Sequence, residues 1–236
     1  MTRHPQAPGS QGLFVTGTDT GVGKSVVAVA LLQAMSSRGM RVVGMKPVAA
    51  GSARTATGLV NDDVVALTQA SNIAAPRELI NPYCFEPAIA PHLAASAAGV
   101  RISLERIVEA YRALAACADR VVVEGAGGLM VPLNEREDFA DLVHGLRLPV
   151  VMVVGMRLGC LNHALMTAEA LRRRGLRLAG WVANRIDPYM AEFEANRDTL
   201  ADRIDAPLIG TLPFSRQSQT AMAQFLRLEL LGYGAD

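Results

Sequence analysis

Gly17-Thr18-Asp19-Thr20-Gly21-Val22-Gly23-Lys24-Ser25 decides how the chain is read. It lies between a short β-branched run, residues 13–16, and an apolar pattern of helical period over about 23–38. A strand, a glycine-rich turn and a helix in that order leave the N–H groups of the helix start free to face phosphate oxygens. Glycine lets the backbone come close to such a ligand. Lys24 is then placed to bridge the outer phosphates, and the Ser25 hydroxyl to ligate magnesium. Five residues separate Gly17 from Gly23, one more than in the common phosphate-binding loop.

Outward from this turn, short apolar runs alternate with longer amphipathic ones. Residues 41–46, 121–124, 149–154, 178–183 and 206–210 read as further strands of a parallel sheet. Helical patterns fall at about 62–71, 104–116, 139–146, 162–174 and 190–203, with Gly39 and Gly175 where C-caps belong. The alternation predicts an α/β fold with a mostly parallel, doubly wound sheet flanked by helices, in one domain over residues 13–236. Ligands of such folds bind beyond the carboxyl ends of the strands. The proline-containing stretch 75–98 is read as a less regular cover over the site.

Half of the 236 residues are hydrophobic and 19% are charged, with a net charge of +1. No basic block exceeds Arg172-Arg173-Arg174, which leaves no footprint for nucleic acid or an anionic membrane. Cys84, Cys117 and Cys160 show neither metal-ligand nor CxxC spacing, so a cytoplasmic protein without disulfides is expected. Residues 1–12 are polar and read as a disordered tail, and no apolar stretch is long enough to span a bilayer.

Only two of the 23 basic residues are lysine, Lys24 and Lys46. Arginine is a broad planar fork, whereas lysine is a compact ammonium that backbone can wrap. Lys46 precedes Pro47, so it is extended and ends its strand, and it emerges beside the phosphate loop if the second strand neighbours the first. Glu124 follows three valines and precedes Gly125-Ala126-Gly127-Gly128, which places its carboxylate at a strand tip beside a turn. Asp63, in Asn61-Asp62-Asp63, reads equally as an acidic partner of magnesium and as an ordinary helix start. Leu158-Gly159-Cys160-Leu161-Asn162-His163 begins a helix after the strongest strand; its N–H donors would suit a carboxylate, but by itself it reads as an ordinary helix start. Cys160 reads as a packing residue, and His92 and His163 as satisfied structural histidines. The Asn184 amide, just past a strand, suits an adenine edge.

Six segments in one order carry a resemblance: Val15 to Ser25, Lys46-Pro-Val-Ala-Ala-Gly51, Asn81-Pro-Tyr83, Val123-Glu-Gly-Ala-Gly-Gly128, Gly159-Cys-Leu-Asn-His163 and Gly180-Trp-Val-Ala-Asn184. They resemble the dethiobiotin synthetases, whose phosphate loop has the same extra residue. The resemblance covers residues 13 to about 214 and implies an ATP-dependent cyclo-ligase of P-loop NTPase fold. Its implied reaction joins 7,8-diaminononanoate and carbon dioxide with ATP, through a carbamate and a carbamic-phosphoric anhydride, giving dethiobiotin, ADP and phosphate. On matching positions Thr20, Gly21, Val22, Gly23, Lys24, Ser25 and Val26 hold the phosphates, with Gly125, Ala126 and Gly127 beside them. Asn184, Arg185 and Pro213 lie on the nucleotide side, and Ser25, Asp63 and Glu124 organise magnesium. Thr20, Lys46, Ala50, Gly127, Gly159, Cys160 and Asn162 match substrate positions, with Lys46 and Lys24 catalytic. The family's unit is a homodimer in which the Gly159 segment reaches the partner's substrate carboxylate. Many relatives have serine where this chain has Ala50, leaving Ser52 or water to supply the hydroxyl, or substrate affinity to fall.

Two alternatives use the same loop. An amide-forming synthetase of the cobyrinic acid type normally adds a glutamine-hydrolysing domain, for which this length leaves no room. A partitioning-type ATP switch carries an additional lysine near the loop's start, where this chain has Thr18 and Asp19.

Overall fold

The computed structural model describes residues 12–56, 58–215 and 219–233. Its centre is a six-stranded sheet of β1 (Gly12–Gly17), β2 (Val42–Met45), β7 (Arg120–Gly128), β8 (Val150–Gly155), β9 (Leu178–Asn184) and β10 (Leu208–Leu212). The strand order is β10-β9-β8-β1-β7-β2, and every pairing within the sheet is parallel. A parallel sheet needs long crossovers, which α1 (Lys24–Ser36), α2 (Asp62–Ala70), α5 (Leu104–Cys117), α6 (Phe139–Leu146), α7 (Cys160–Arg173) and α8 (Phe193–Arg203) supply. Gly12 pairs opposite Val121 and belongs to β1, so the segment read as a tail stops short of it. Glycine has no side chain to announce a strand. Residues 1–11 of that segment lie outside the described residues.

Period-two alternation sends each strand's side chains to opposite faces. Leu13, Val15, Val122, Val151 and Val153 pack with α1 and Leu67 on one face. Phe14, Val43, Met45, Val121 and Val123 pack with α5 and α6 on the other, and Met152, Val154 and Trp181 extend that face under α7 and α8. Helix α1 is buried almost all round, between the sheet, α2 and the 3-10 segment Gln219–Phe225. Gly39 and Gly175 both stand at φ above +60°, and Leu176 N–H and Gly175 N–H close back onto Leu171 and Arg172 to end α7.

The stretch 75–98 is better organised than its sequence suggests. It forms α3 (Arg77–Ile80), β6 (Tyr83–Cys84) and α4 (Pro91–Ala97), and β6 pairs with β3 (Val48–Ala49). An exposed antiparallel hairpin, β4 (Ala53–Thr55) with β5 (Gly58–Val60), leads into α2. Elements of two to seven residues leave little periodicity to read.

The second strand does not neighbour the first, because β7 lies between them. Sequence order sets no spatial order across a crossover sheet, and this insertion brings Glu124 rather than Lys46 directly beside Val15. Leu31 lies fully buried in the α1 face of the core. Its replacement by alanine is expected to cost about 2–5 kcal/mol, read as a lower urea midpoint at unchanged slope.

Candidate functional site

Gly17 ends β1, Lys46 follows the last residue of β2, and Glu124 lies within β7 opposite Val15 rather than at a strand tip; the site assembles around these three. The phosphate loop runs from β1 into α1, with Gly21 and Gly23 at φ 73° and 86°, in the left-handed region that glycine tolerates. Gly23 is the N-cap of α1, and no side chain caps it, so the first-turn N–H groups stay open to a ligand. The loop is braced at both ends. Thr18 N–H donates to Val153 O at 3.0 Å, and the Asn184 amide donates to Val22 O at 2.8 Å. A Cβ on Gly23 would stand 2.1 Å from that amide nitrogen. The Lys24 ammonium curls back to donate to Asp19 O at 3.0 Å, and Val26 lies half-buried on the first turn of α1.

Four groups converge beside the loop. Lys46 Nζ lies 2.6 Å from Glu124 Oε1 and 2.8 Å from Asp63 Oδ2, and donates to Gly125 O at 3.2 Å. Ser25 Oγ lies 2.7 Å from Asp63 Oδ1 and 2.8 Å from Glu124 Oε1. Lys46 and Glu124 are buried, while the Asp63 side chain is 40% exposed and so open to an incoming ligand. Asn61 accepts from the N–H groups of Asp63 and Val64, so the acidic triplet is both a helix start and a source of a site carboxylate.

This geometry fits a hard divalent cation. A serine hydroxyl has one proton, yet two carboxylate oxygens sit within hydrogen-bond distance of it. Glu124 Oε2 is buried with no hydrogen-bond partner among the described residues. No three His, Cys, Asp or Glu side chains among the described residues gather as a metal group. The donor set is instead two carboxylates and a hydroxyl, the kind that magnesium completes with water and phosphate oxygens.

Burial and charge set the two lysines apart. Burial first, then the neighbouring Lys46 ammonium, lowers Lys24 to about 8. Burial also pulls on Lys46, but Glu124 and Asp63 outweigh it and hold its ammonium above the ordinary lysine range. Burial pushes Asp63 up, and the Lys46 charge with hydrogen bonds from Lys46 and Ser25 holds it below the usual carboxylate range.

Several expected features take a different form. Gly125 to Gly128 is no turn, since β7 continues to Gly128 after a register shift against β1. Gly125 answers the Phe14 ring, 3.1 Å from where a Cβ would stand. Gly127 takes φ 67°, close to the Thr20 hydroxyl at the loop, with half-buried Ala126 before it. Ser52 is buried, and its hydroxyl lies 3.1 Å from Cys84 Sγ. His163 is exposed, and His92 Nδ1 is buried with no hydrogen-bond partner among the described residues.

Asn184 and Pro213 follow one another across the ends of β9 and β10, where Leu212 pairs with Asn184. Arg185 stacks its guanidinium 4.7 Å over Phe193. The Gly159 segment is not part of the lysine cluster. Gly159 (φ 93°) and Asn162 are exposed, whereas Cys160 is buried in the core and gives its N–H to Arg157 O. One contact joins this segment to the phosphate loop: Arg157 Nη2 meets Asp19 Oδ2 at 2.5 Å, while Asp19 Oδ1 accepts the Thr20 N–H at 2.7 Å. Nothing in the sequence pointed to that pair, because ion pairs 138 positions apart leave no local pattern.

Known proteins resolve the fold from the family. The MinD cell division protein of Aquifex aeolicus superposes with a TM-score of 0.56 at 15% identity, covering 95% of this chain and 91% of that one. A ParA family ATPase of Chlorobium tepidum gives 0.54 at 14%, covering 94% of each. At such identities the likeness is one of P-loop ATPase fold alone. The family model described as an AAA domain matches residues 11–221. The ATP-dependent dethiobiotin synthetase BioD of Nitrosospira multiformis is 56% identical over 87% of this chain and 89% of its own length. The enzyme of the same name from Pseudomonas paraeruginosa is 51% identical over 94% and 98%. Agreement of this depth over nearly the whole of both chains reaches past a shared fold to a shared lineage, and the chain belongs to the ATP-dependent dethiobiotin synthetase family.

Proposed function

We propose that the cluster around Lys46 is where a carbamate is phosphorylated and then displaced in the ATP-dependent ring closure that makes dethiobiotin. The observation that carries this reading is the buried Lys46 ammonium, shared by Glu124 and Asp63, with both carboxylates also touching the loop hydroxyl Ser25. In this reading Lys24 serves the nucleotide phosphates, and Lys46, which lies outside the loop, serves the group that receives the phosphoryl.

One amine of 7,8-diaminononanoate attacks carbon dioxide, forming the C–N bond of a carbamate and releasing a proton. The carbamate oxygen attacks the terminal phosphorus of ATP, and the bond to ADP breaks. The second amine then attacks the carbamoyl carbon of the mixed anhydride, phosphate leaves, and the ring closes. Lys24 and the open N–H groups of α1 hold the phosphates, and Lys46 meets the negative charge on the carbamate and the transferring phosphoryl. Magnesium, held by Ser25, Asp63 and Glu124, would neutralise phosphate charge when bound. No protein nucleophile is required, which agrees with Cys160 being buried in the core.

Thr20, Ala50 and Gly127 line the substrate side, and Asn184, Arg185 and Pro213 the nucleotide base. The exposed start of α7, with Gly159, Asn162 and Leu158 at 96% exposure, supports a homodimer in which this segment meets the partner's substrate carboxylate. A cytoplasmic setting agrees with three free cysteines, and no helix among the described residues is long and apolar enough to cross a membrane. Residues 13–236 act as one synthetase domain in this reading.

Phosphate release from MgATP and bicarbonate is expected to depend on the diamine, and release indifferent to it would sink the proposal. Lys46→Arg keeps the charge but widens the group, so turnover should fall on the order of a hundredfold while ATP binding and circular dichroism persist. Gly23→Ala places a methyl against Asn184 in a left-handed backbone, and equilibrium dialysis should show ATP binding lost.

A further inference from the structure

Asn81-Pro82-Tyr83 stands among the family's hallmarks, and nothing above uses it. We infer that Asn81 is a positioning residue for Lys46, its side-chain amide seated on the main-chain carbonyl of Lys46 and replacing the strand partner that Lys46 lacks. The inference rests on the role proposed for Lys46.

The need arises from the end of the sheet. The β2–β7 ladder closes at Met45 opposite Val123, and the next residue after Lys46 is a proline with no N–H. Lys46 therefore leaves the sheet at the point where its ammonium must be aimed. Its N–H donates to Ile80 O at 2.8 Å, and its carbonyl accepts from Asn81 Nδ2 at 2.6 Å. The same Nδ2 donates to Tyr83 O at 2.9 Å. Two carbonyls as partners fix which way the amide faces, since only the NH₂ end can donate to both.

The frame behind Asn81 is stiff. Tyr83 N–H donates to Pro47 O at 3.1 Å, its hydroxyl accepts from Ser103 N–H at 3.0 Å, and Arg106 lies over its ring at 4.9 Å. Asn81 itself is 6% exposed, and its Oδ1 is buried with no partner among the described residues. The other end of the amide holds the main chain of a lysine whose ammonium meets three oxygens within 3.2 Å.

The test measures kcat for diamine-dependent phosphate release, ATP affinity and Tm in Asn81→Ala and Asn81→Ser, each alone and combined with Lys46→Gln. Asn134→Ala serves as control, because Asn134 is equally buried and donates to Ile102 O and Glu137, away from the lysine cluster. Asn81→Ala is expected to lower kcat about 10- to 100-fold with ATP affinity unchanged within about threefold, the signature of a displaced catalytic group. Asn81→Ser, keeping one donor, should fall between, and Asn134→Ala should lower Tm alone. In the Lys46→Gln background, Asn81→Ala should cost less than about threefold more, since the two act as one unit. Full kcat in Asn81→Ala, or losses that multiply in the double variant, overturns the inference. Should Asn81→Ala fail to fold, Asn81→Ser decides the same comparison. Normal turnover in Lys46→Gln would instead refute the role of Lys46, and with it any positioning through it, so the two failures are distinguishable.

Discussion

The ammonium of Lys46 between the carboxylates of Glu124 and Asp63 is the interaction on which the rest of the site depends. A buried carboxylate is strongly destabilising unless it is paired and hydrogen-bonded, and Glu124 is 1% exposed. Lys46 compensates it, and Asp63, less buried, completes the pair from α2. With Lys24 nearby, two lysines face two carboxylates and the cluster is neutral. Its imbalance is one of solvation: Lys24 is lowered to about 8 by burial first, so it gains most when an anion arrives. Such an arrangement suits a guest that brings phosphate charge and a hard cation together.

Topology delivers these groups to one place. The three strand ends that matter belong to β1, β7 and β2, consecutive in space though β7 comes some eighty residues after β2 in sequence. Because all run parallel, their carboxyl ends open on the same edge. The phosphate loop then leads into α1, Lys46 leaves β2, and β7 carries Glu124 opposite Val15 between them.

Most of this was legible in the chain. The runs at 13–16, 121–124 and 149–154 announce strands because parallel strands are buried on both faces, and the glycine-lysine-serine turn announces phosphate. What could not be read is relational. The insertion of β7 between β1 and β2 is a spatial order that periodicity does not encode. Gly125 looked like a turn residue, but its lack of a side chain answers the Phe14 ring. Ser52 looked available, but its hydroxyl lies within hydrogen-bond reach of Cys84 Sγ, 32 positions away in sequence, a contact that composition does not show. Asn81 carried a motif without a reason until the end of the β2 ladder supplied one.

The ion pair between Arg157 and Asp19 gives the site two kinds of electrostatics. Its side chains are 47% and 41% exposed, whereas Lys46 and Glu124 are 5% and 0%. Mobile ions screen exposed charges over about 8 Å at physiological ionic strength and reach buried pairs far less. Added salt therefore slackens the tie between the α7 loop and the phosphate loop while leaving the lysine cluster intact. Ionic strength acts on how the α7 loop is held to the phosphate loop, not on the buried cluster of Lys46 and Glu124.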